Sequence, residues 1–305
     1  MVALQKGFIP TDILSPGAIY NGGYPSAKEV RLRIANGGAG QSGLVEAFAN
    51  AYIQFSVETK GVKPFLVAWY LGDTTQSLQY LASKFVDVAL TYNAAAEKHC
   101  VDSGAASQRE LVFLDHFYLV GPKPNPAELS TSNDSVTDMF NKIVASGNED
   151  TLRPPNPSIR PPTRFLSRFD KSATNIKESE LFVKIGQVPW AYAYSTWYHQ
   201  YARFPLQALE AASYLAEYTL TDRGTWLSSP SSVTSNLVIY KGAESTEDEA
   251  VLLNPCSALS APDTANKEMA EDFMNWVVRD DGGQQVVKDF KKNGERLYSP
   301  RPKKQ

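Results

Sequence analysis

Apolar and polar positions along the chain alternate between two periods, and the alternation repeats about every 30 residues through much of the sequence. Arg31–Ala35 reads as a strand, with Leu32 and Ile34 alternating with arginines. Asn36–Gly43 (NGGAGQSG) then turns sharply into a helix expected over Leu44–Phe55, where Leu44, Val45, Phe48, Tyr52 and Phe55 share one face. A second strand, Phe65–Leu71, ends in Gly72-Asp73-Thr74-Thr75, and Leu78, Leu81, Ala82 and Phe85 follow at helical spacing. Asp87–Thr91 reads as a short buried strand, Ala94–Val101 as a helix stopped near Gly104, and Leu111–Val120 as a further strand. Such strand–helix alternation predicts an α/β fold with mainly parallel sheets.

Thr151–Thr163 contains Pro154, Pro155, Pro157, Pro161 and Pro162, so it is expected to be an extended loop. A second α/β block follows. It comprises a strand at Arg164–Ser167, a helix at Thr174–Ile185 stopped at Gly186, a helix at Pro205–Ala216, and strands at Tyr218–Thr221 and Leu237–Lys241. Thr246–Glu249 is an acidic, solvated stretch. The aromatic run Trp190–Tyr201 reads as core and cleft wall. Met269, Phe273, Trp276 and Val277 line a terminal helix, with Val286, Val287 and Phe290 beyond the Asp280-Asp281-Gly282-Gly283 break. The first 29 residues, rich in Gly and Pro, read as an arm.

Composition narrows the function. Thirty Lys+Arg against 33 Asp+Glu give a formal net charge of -3 over 305 residues. That balance excludes the broad basic face of a nucleic-acid scaffold and a protein held on anionic membranes by bulk charge. It leaves room for a small anion site built from a few groups. Two cysteines, Cys100 and Cys256, and three histidines, His99, His116 and His199, are too few and too scattered for a structural zinc site. One bridge between the cysteines and two buried thiols both fit. The chain as given has no signal-peptide-like leader and no apolar run of membrane-span length, so membrane insertion is not expected.

Four loops share one design, with polar, small or basic residues following a strand and opening a helix. They are Asn36–Gly43, Asp73–Gln76, Ser167–Thr174 and Thr221–Thr225. Unpaired N–H groups at such junctions attract anions. The first also matches G-x-G-x-x-G at Gly38, Gly40 and Gly43, which keeps a nucleotide-dependent oxidoreductase as the alternative. The following strand should end in an acidic residue about 20 positions on, and the nearest candidate, Asp73, lies 30 residues beyond Gly43. No nucleophile elbow or Walker A loop occurs.

In this order, Tyr218–Trp226 (YTLTDRGTW), Phe165–Glu178 (FLSRFDKSATNIKE), Asp73–Leu78, Val86–Glu97, Asp115–Pro126, Leu253-Asn254-Pro255 and Phe273–Gln285 resemble the tungstate-binding proteins of ABC-type uptake systems, relatives of the molybdate-binding proteins. The resemblance spans about Val30 to Phe290. It implies a two-lobed type II periplasmic-binding-protein fold, with 30–117 and 254–298 in lobe 1, 118–253 in lobe 2, two crossing hinge strands, and a tail at 299–305. It further implies a monomer without enzymatic activity or cofactor that closes over a small anion. The partner would be an ABC permease if the chain works outside the cytoplasmic membrane. Carried over by position, the implied ligands are Asn36, Gly37, Gly38, Ala39, Ser42, Thr74, Thr75, Tyr92, Arg168, Ser172, Thr174, Arg203 and Arg223. Two segments depart from relatives. Asn36-Gly37-Gly38-Ala39 replaces a Thr/Ser-rich run, and Ala202–Leu206 replaces a glycine-rich one. A phosphate- or carboxylate-bearing ligand therefore stands beside tungstate and molybdate.

Overall fold

A computed structural model describes residues 15–170, 172–242 and 250–302. The chain divides into two units. The first holds the described residues up to Thr91, Ala95–Glu110 and Ser257–Val286; the second holds Tyr92–Ala94, Leu111–Cys256 and the residues from Val287 onward.

Alternating burial of Leu32 and Ile34 against half-exposed arginines makes β2 (Val30–Asn36) the centre of the first unit, after a three-residue β1 (Ala18–Tyr20). A short α1 (Gly38–Ser42) precedes α2 (Leu44–Lys60), which buries Leu44, Val45, Phe48, Ala49, Tyr52 and Ile53 and ends at Gly61 with φ 66°. Then come β3 (Leu66–Leu71), α3 (Thr74–Ala82), β4 (Val88–Thr91) and α4 (Ala94–Asp102). β2 lies parallel to both β3 and β4, and β1 runs antiparallel to β3.

β5 (Gln108–Pro122) carries the chain into the second unit. There α5 (Val136–Leu152), β6 (Phe165–Ser167), α6 (Ala173–Lys184), β7 (Tyr198–Gln200), α7 (Pro205–Leu215), β8 (Tyr218–Asp222), α8 (Arg223–Ser228), α9 (Ser231–Thr234) and β9 (Leu237–Gly242) follow. β6 is parallel to β7 and β8, while β8 and β9 are antiparallel to β5. β10 (Leu253–Ser260) returns to the first unit, where Ser257–Ser260 pair antiparallel with β4, and α10 (Lys267–Val277) completes it. Each unit is thus an α/β layer with a parallel three-strand centre. The antiparallel additions are mostly strands that enter or leave the unit.

Aromatic side chains fill both cores. In the first unit Tyr52 meets Phe65, Phe273 and Trp276 at ring distances of 6.0, 5.2 and 5.3 Å. In the second, Phe182 on α6 packs edge-on to Phe140 of α5 and Phe165 of β6. Burying each such ring contributes about 1.5–3 kcal/mol.

The structure adds what periodicity missed. Residues 18–20 of the expected arm pair with β3, a triplet too short to stand out among Gly and Pro. α5 occupies a stretch to which no element was assigned, although Val136, Met139, Phe140, Ile143 and Val144 fall on one buried face behind a Ser135–Asp138 capping box. The aromatic run contains β7. α2 extends to Lys60, five residues beyond its expected end. The first 14 residues of the arm, the acidic stretch Thr246–Glu249 and the last three residues of the tail lie outside the described residues.

Gly40 permits the closest approach in the first unit. A Cβ there would meet the Trp69 ring at 2.2 Å, while Trp69 Nε1 donates to the Asn36 carbonyl at 2.9 Å. Gly40→Ala is expected to lower stability by about 1–3 kcal/mol in urea denaturation, by overpacking against that ring.

Candidate functional site

In the second unit β6, β7 and β8 lie side by side and parallel, so their carboxyl ends share one edge. An arginine follows each: Arg168 after β6, Arg203 after β7 and Arg223 after β8. Ligands of open α/β sheets are received at such strand ends.

The β6–α6 loop is tightly braced. Arg168 Nη2 donates to Asp170 Oδ2 at 2.5 Å, and Asp170 Oδ1 accepts from Ser172 N at 3.0 Å. Ser172 caps α6 by accepting from Asn175 N at 3.3 Å, and Thr174 in the first turn is 4 % exposed. Arg168 Nε reaches the Arg203 carbonyl at 3.4 Å. Between Arg168 and Asp170, Phe169 is held in the left-handed region at φ 46°. The loop links Arg168 to Ser172 through Asp170, and Thr174 is buried one turn into α6. Arg203 is turned elsewhere: its Nη1 donates to the Ala202 carbonyl at 2.8 Å and its guanidinium lies 5.9 Å from the Tyr201 ring centre.

Arg223 is differently placed. Asp222, the carboxylate next to it, is committed to its own helix, accepting from Thr225 N at 2.8 Å and from Thr225 Oγ1 at 2.6 Å. Among the described residues, no ion pair to Arg223 forms within 4.0 Å, and its Nε is buried without a hydrogen-bond partner. Asp115 on β5 is the other carboxyl near it. Burial above all, and then the Asp222 charge, push Asp115 well above the usual carboxylate range; bonds from His116 N and Asn254 and the Arg223 charge oppose this only in part. Neither neighbouring acid therefore takes up the guanidinium's N–H groups: the Asp222 oxygens are spent on a cap and Asp115 favours its neutral form.

The first unit repeats the strand-end arrangement with fewer charges. β3, β2 and β4 are parallel neighbours; Thr74–Thr75 follow β3 and Gly37–Ser42 follow β2, while Tyr92, next after β4, belongs to the second unit. Asn36 is fully engaged. Its amide donates to the Leu90 carbonyl at 2.8 Å and its Oδ1 accepts from Gly40 N at 2.7 Å, so it ties the ends of β2 and β4 to α1. The Gly37 carbonyl accepts from Gln41 N at 3.0 Å, Ala39 is buried, and Ser42 Oγ donates to the Ala39 carbonyl at 3.0 Å. The space a Gly38 side chain would fill is open. Thr74 and Thr75 open α3 behind a capping box of Asp73 and Gln76. Tyr92 sits edge-on to Phe113, with ring centres 6.1 Å apart.

The nucleotide alternative is not supported. Gly40 seats Trp69, and Gly43 takes φ 97° to end α1 after five residues, so two of the motif glycines answer to packing and a helix stop. His116 Nε2 meets Ser299 Oγ at 2.9 Å and His199 Nδ1 meets Glu217 at 2.7 Å. Cys100 and Cys256 form no disulfide among the described residues. Among the described residues, no three His, Cys, Asp or Glu side chains converge as metal ligands.

Sequence reasoning missed four residues beneath the β6–α6 loop: Ser167, Asn175, Glu178 and Tyr198. Glu178 Oε1 accepts from Ser167 Oγ and, at 2.8 Å, from Asn175 Nδ2. The available signal was a lone acid on the buried face that α6 shares with Leu181 and Phe182.

Comparison with known proteins gives concordant results. A family model described as PBP superfamily domain matches residues 22–281. A solved "periplasmic putative metal binding protein" is 48 % identical, with TM-score 0.85, covering 94 % of this chain and 100 % of that one. The tungstate-binding protein TupA from Desulfovibrio alaskensis G20 is 27 % identical, with TM-score 0.72, over 90 % of this chain and 100 % of that one. A "Putative ABC transporter anion-binding protein" of Haloferax volcanii is 26 % identical over 217 residues, 70 % of this chain. The match spans only 57 % of that protein's own length.

Asp115 yields a test of the electrostatics. Its folded-state pKa is raised, so as pH climbs past about 4 the unfolded chain releases a proton that the folded protein keeps, and stability falls. Asp115→Asn, uncharged throughout, is expected to lose less stability than the parent between pH 4 and 7, read from urea midpoints.

Proposed function

The chain belongs to the PBP superfamily, and from that premise we propose that it is a solute-binding protein for a small oxyanion, of the tungstate and molybdate type. The observation that carries this reading is Arg223, a guanidinium at a strand end with a buried, unpartnered Nε and neighbouring carboxyls that do not claim it. A buried charged donor without an acceptor is costly, and an anion's oxygen is the acceptor that relieves it. Arg168, held by Asp170 in a fixed orientation, supplies a second fork of donors beside the Ser172 and Thr174 hydroxyls.

Support comes from relatives of matching character: a tungstate-binding protein and an anion-binding protein of a transporter. Guanidinium, hydroxyl and amide donors suit a metal carried as its oxyanion, grasped through its oxygens. Such a site binds and releases without making or breaking covalent bonds. Within the first unit, Asn36–Ala39, Thr74 and Thr75 are proposed to offer backbone and hydroxyl donors at its own strand ends, with Gly38 leaving room for an approaching oxygen. An ABC permease is the proposed recipient, and the chain is proposed to act as a monomer.

A thermal-shift panel of tungstate, molybdate, sulfate, phosphate and a sugar phosphate tests the reading. The preferred anion at 100 times its dissociation constant should stabilise the protein by about 2.7 kcal/mol. No shift with any of them overturns the proposal. Arg168→Ala and Arg223→Ala should each weaken binding of that anion roughly 10- to 100-fold by calorimetric titration while keeping cooperative unfolding.

A further inference from the structure

Glu178 lies in the second turn of α6 and is 0 % exposed. Besides the bonds it accepts from Ser167 and Asn175, its second oxygen, Oε2, is buried without a hydrogen-bond partner among the described residues, as is the Tyr198 hydroxyl. Ser167 Oγ in turn accepts from Phe169 N at 3.2 Å. The chain of bonds therefore runs from Glu178 through Ser167 to Phe169, held at positive φ between Arg168 and Asp170. A left-handed residue with a side chain costs about 1–2 kcal/mol and needs such support.

We propose that Glu178 is a positioning residue of the oxyanion site, holding the Arg168 loop through Ser167 and Asn175 while uncharged, and that its ionisation expels the anion. The inference rests on the reading of Arg168 as an oxyanion ligand. A carboxylate formed here sets a negative charge in a dry interior beneath an incoming dianion, where repulsion is poorly screened. A neutral acid keeps an acceptor for Ser167 and Asn175 and adds no charge.

The charged and titratable groups that face Glu178 are Arg168 and Asp170 from the loop and Tyr198 from β7; α5 meets the same helix through Phe140 against Phe182. Burial dominates and pushes the Glu178 pKa up to about 8. The Ser167 and Asn175 bonds and the Arg168 charge partly oppose it, and Asp170 adds to it. The acid is thus neutral below about pH 8 in the folded protein, and anion affinity should fall as pH rises through that value.

The test uses the full chain, with sodium tungstate and sodium molybdate as probes. Affinity of the parent is expected to fall about tenfold or more between pH 7 and 9, whereas Glu178→Gln, which keeps the acceptor without the charge, gives a flat profile. Glu178→Ala, which loses the acceptor, binds more weakly at every pH. Equal pH profiles for the parent and Glu178→Gln overturn the proposal. So does an Ala variant that binds as tightly as the parent at pH 7. A ligand-free arm reads the charge state separately. Between pH 5 and 8 the unfolded chain ionises this acid and the folded protein does not, so the parent loses more thermal stability than Glu178→Gln. Parallel melting curves there overturn the neutral acid. Absence of any oxyanion binding by the parent at pH 6.5 overturns the site, and with it this role, whatever the melting curves show.

Discussion

The half-buried Arg223, whose Nε has no hydrogen-bond partner among the described residues, is the interaction on which the strand ends of the second unit turn. Arg223 could have been satisfied by Asp222, its chain neighbour, or by Asp115 across the β5–β8 pair. The first is drawn away by the amide and hydroxyl of Thr225, and the second is pressed toward its neutral form by burial and by Asp222 itself. Removing a partner from a buried donor costs about 1–3 kcal/mol, and more for a charged one. On the proposed reading, an anion's oxygen is the acceptor that relieves this cost.

Arg168 follows a different rule. It is paired, but with Asp170, whose other oxygen is tied to Ser172 N, so the pairing orients the guanidinium more than it neutralises the loop. The two arginines divide the work: one is held rigidly and the other is left with a vacancy. Asn36 has the corresponding role in the first unit. With both its Nδ2 and its Oδ1 engaged, it fixes where the α1 backbone presents its amides.

Much of the architecture could be read from the residues. The alternation around Leu32 and Ile34, the glycine stops and the strand-end loops locate most elements and the junctions after β2, β3, β6 and β8. What escaped had local causes. β1 is three residues long and buys its place only by pairing with β3, and β7 is submerged in an aromatic run whose period is obscured by packing on both sides. The G-x-G-x-x-G spacing misleads because its glycines answer to a tryptophan ring and a helix stop, neither of which a motif encodes. Arg168 and Arg223 could be singled out from sequence. Whether their acidic neighbours cancel them depends on which hydrogen bonds those acids make, and nothing linear records that. Glu178 stayed hidden for the same reason, since its partners come from β6 and from its own helix.

The buried carboxyls also tie folding to the solvent's proton balance. Near neutral pH the native protein retains protons on Glu178, and favours retaining one on Asp115, that an extended chain gives up. Unfolding therefore discharges acid into the medium. The heat absorbed in a calorimeter then includes the protonation of the buffer, and two buffers of equal pH but different ionisation enthalpy record different unfolding enthalpies for the same molecule.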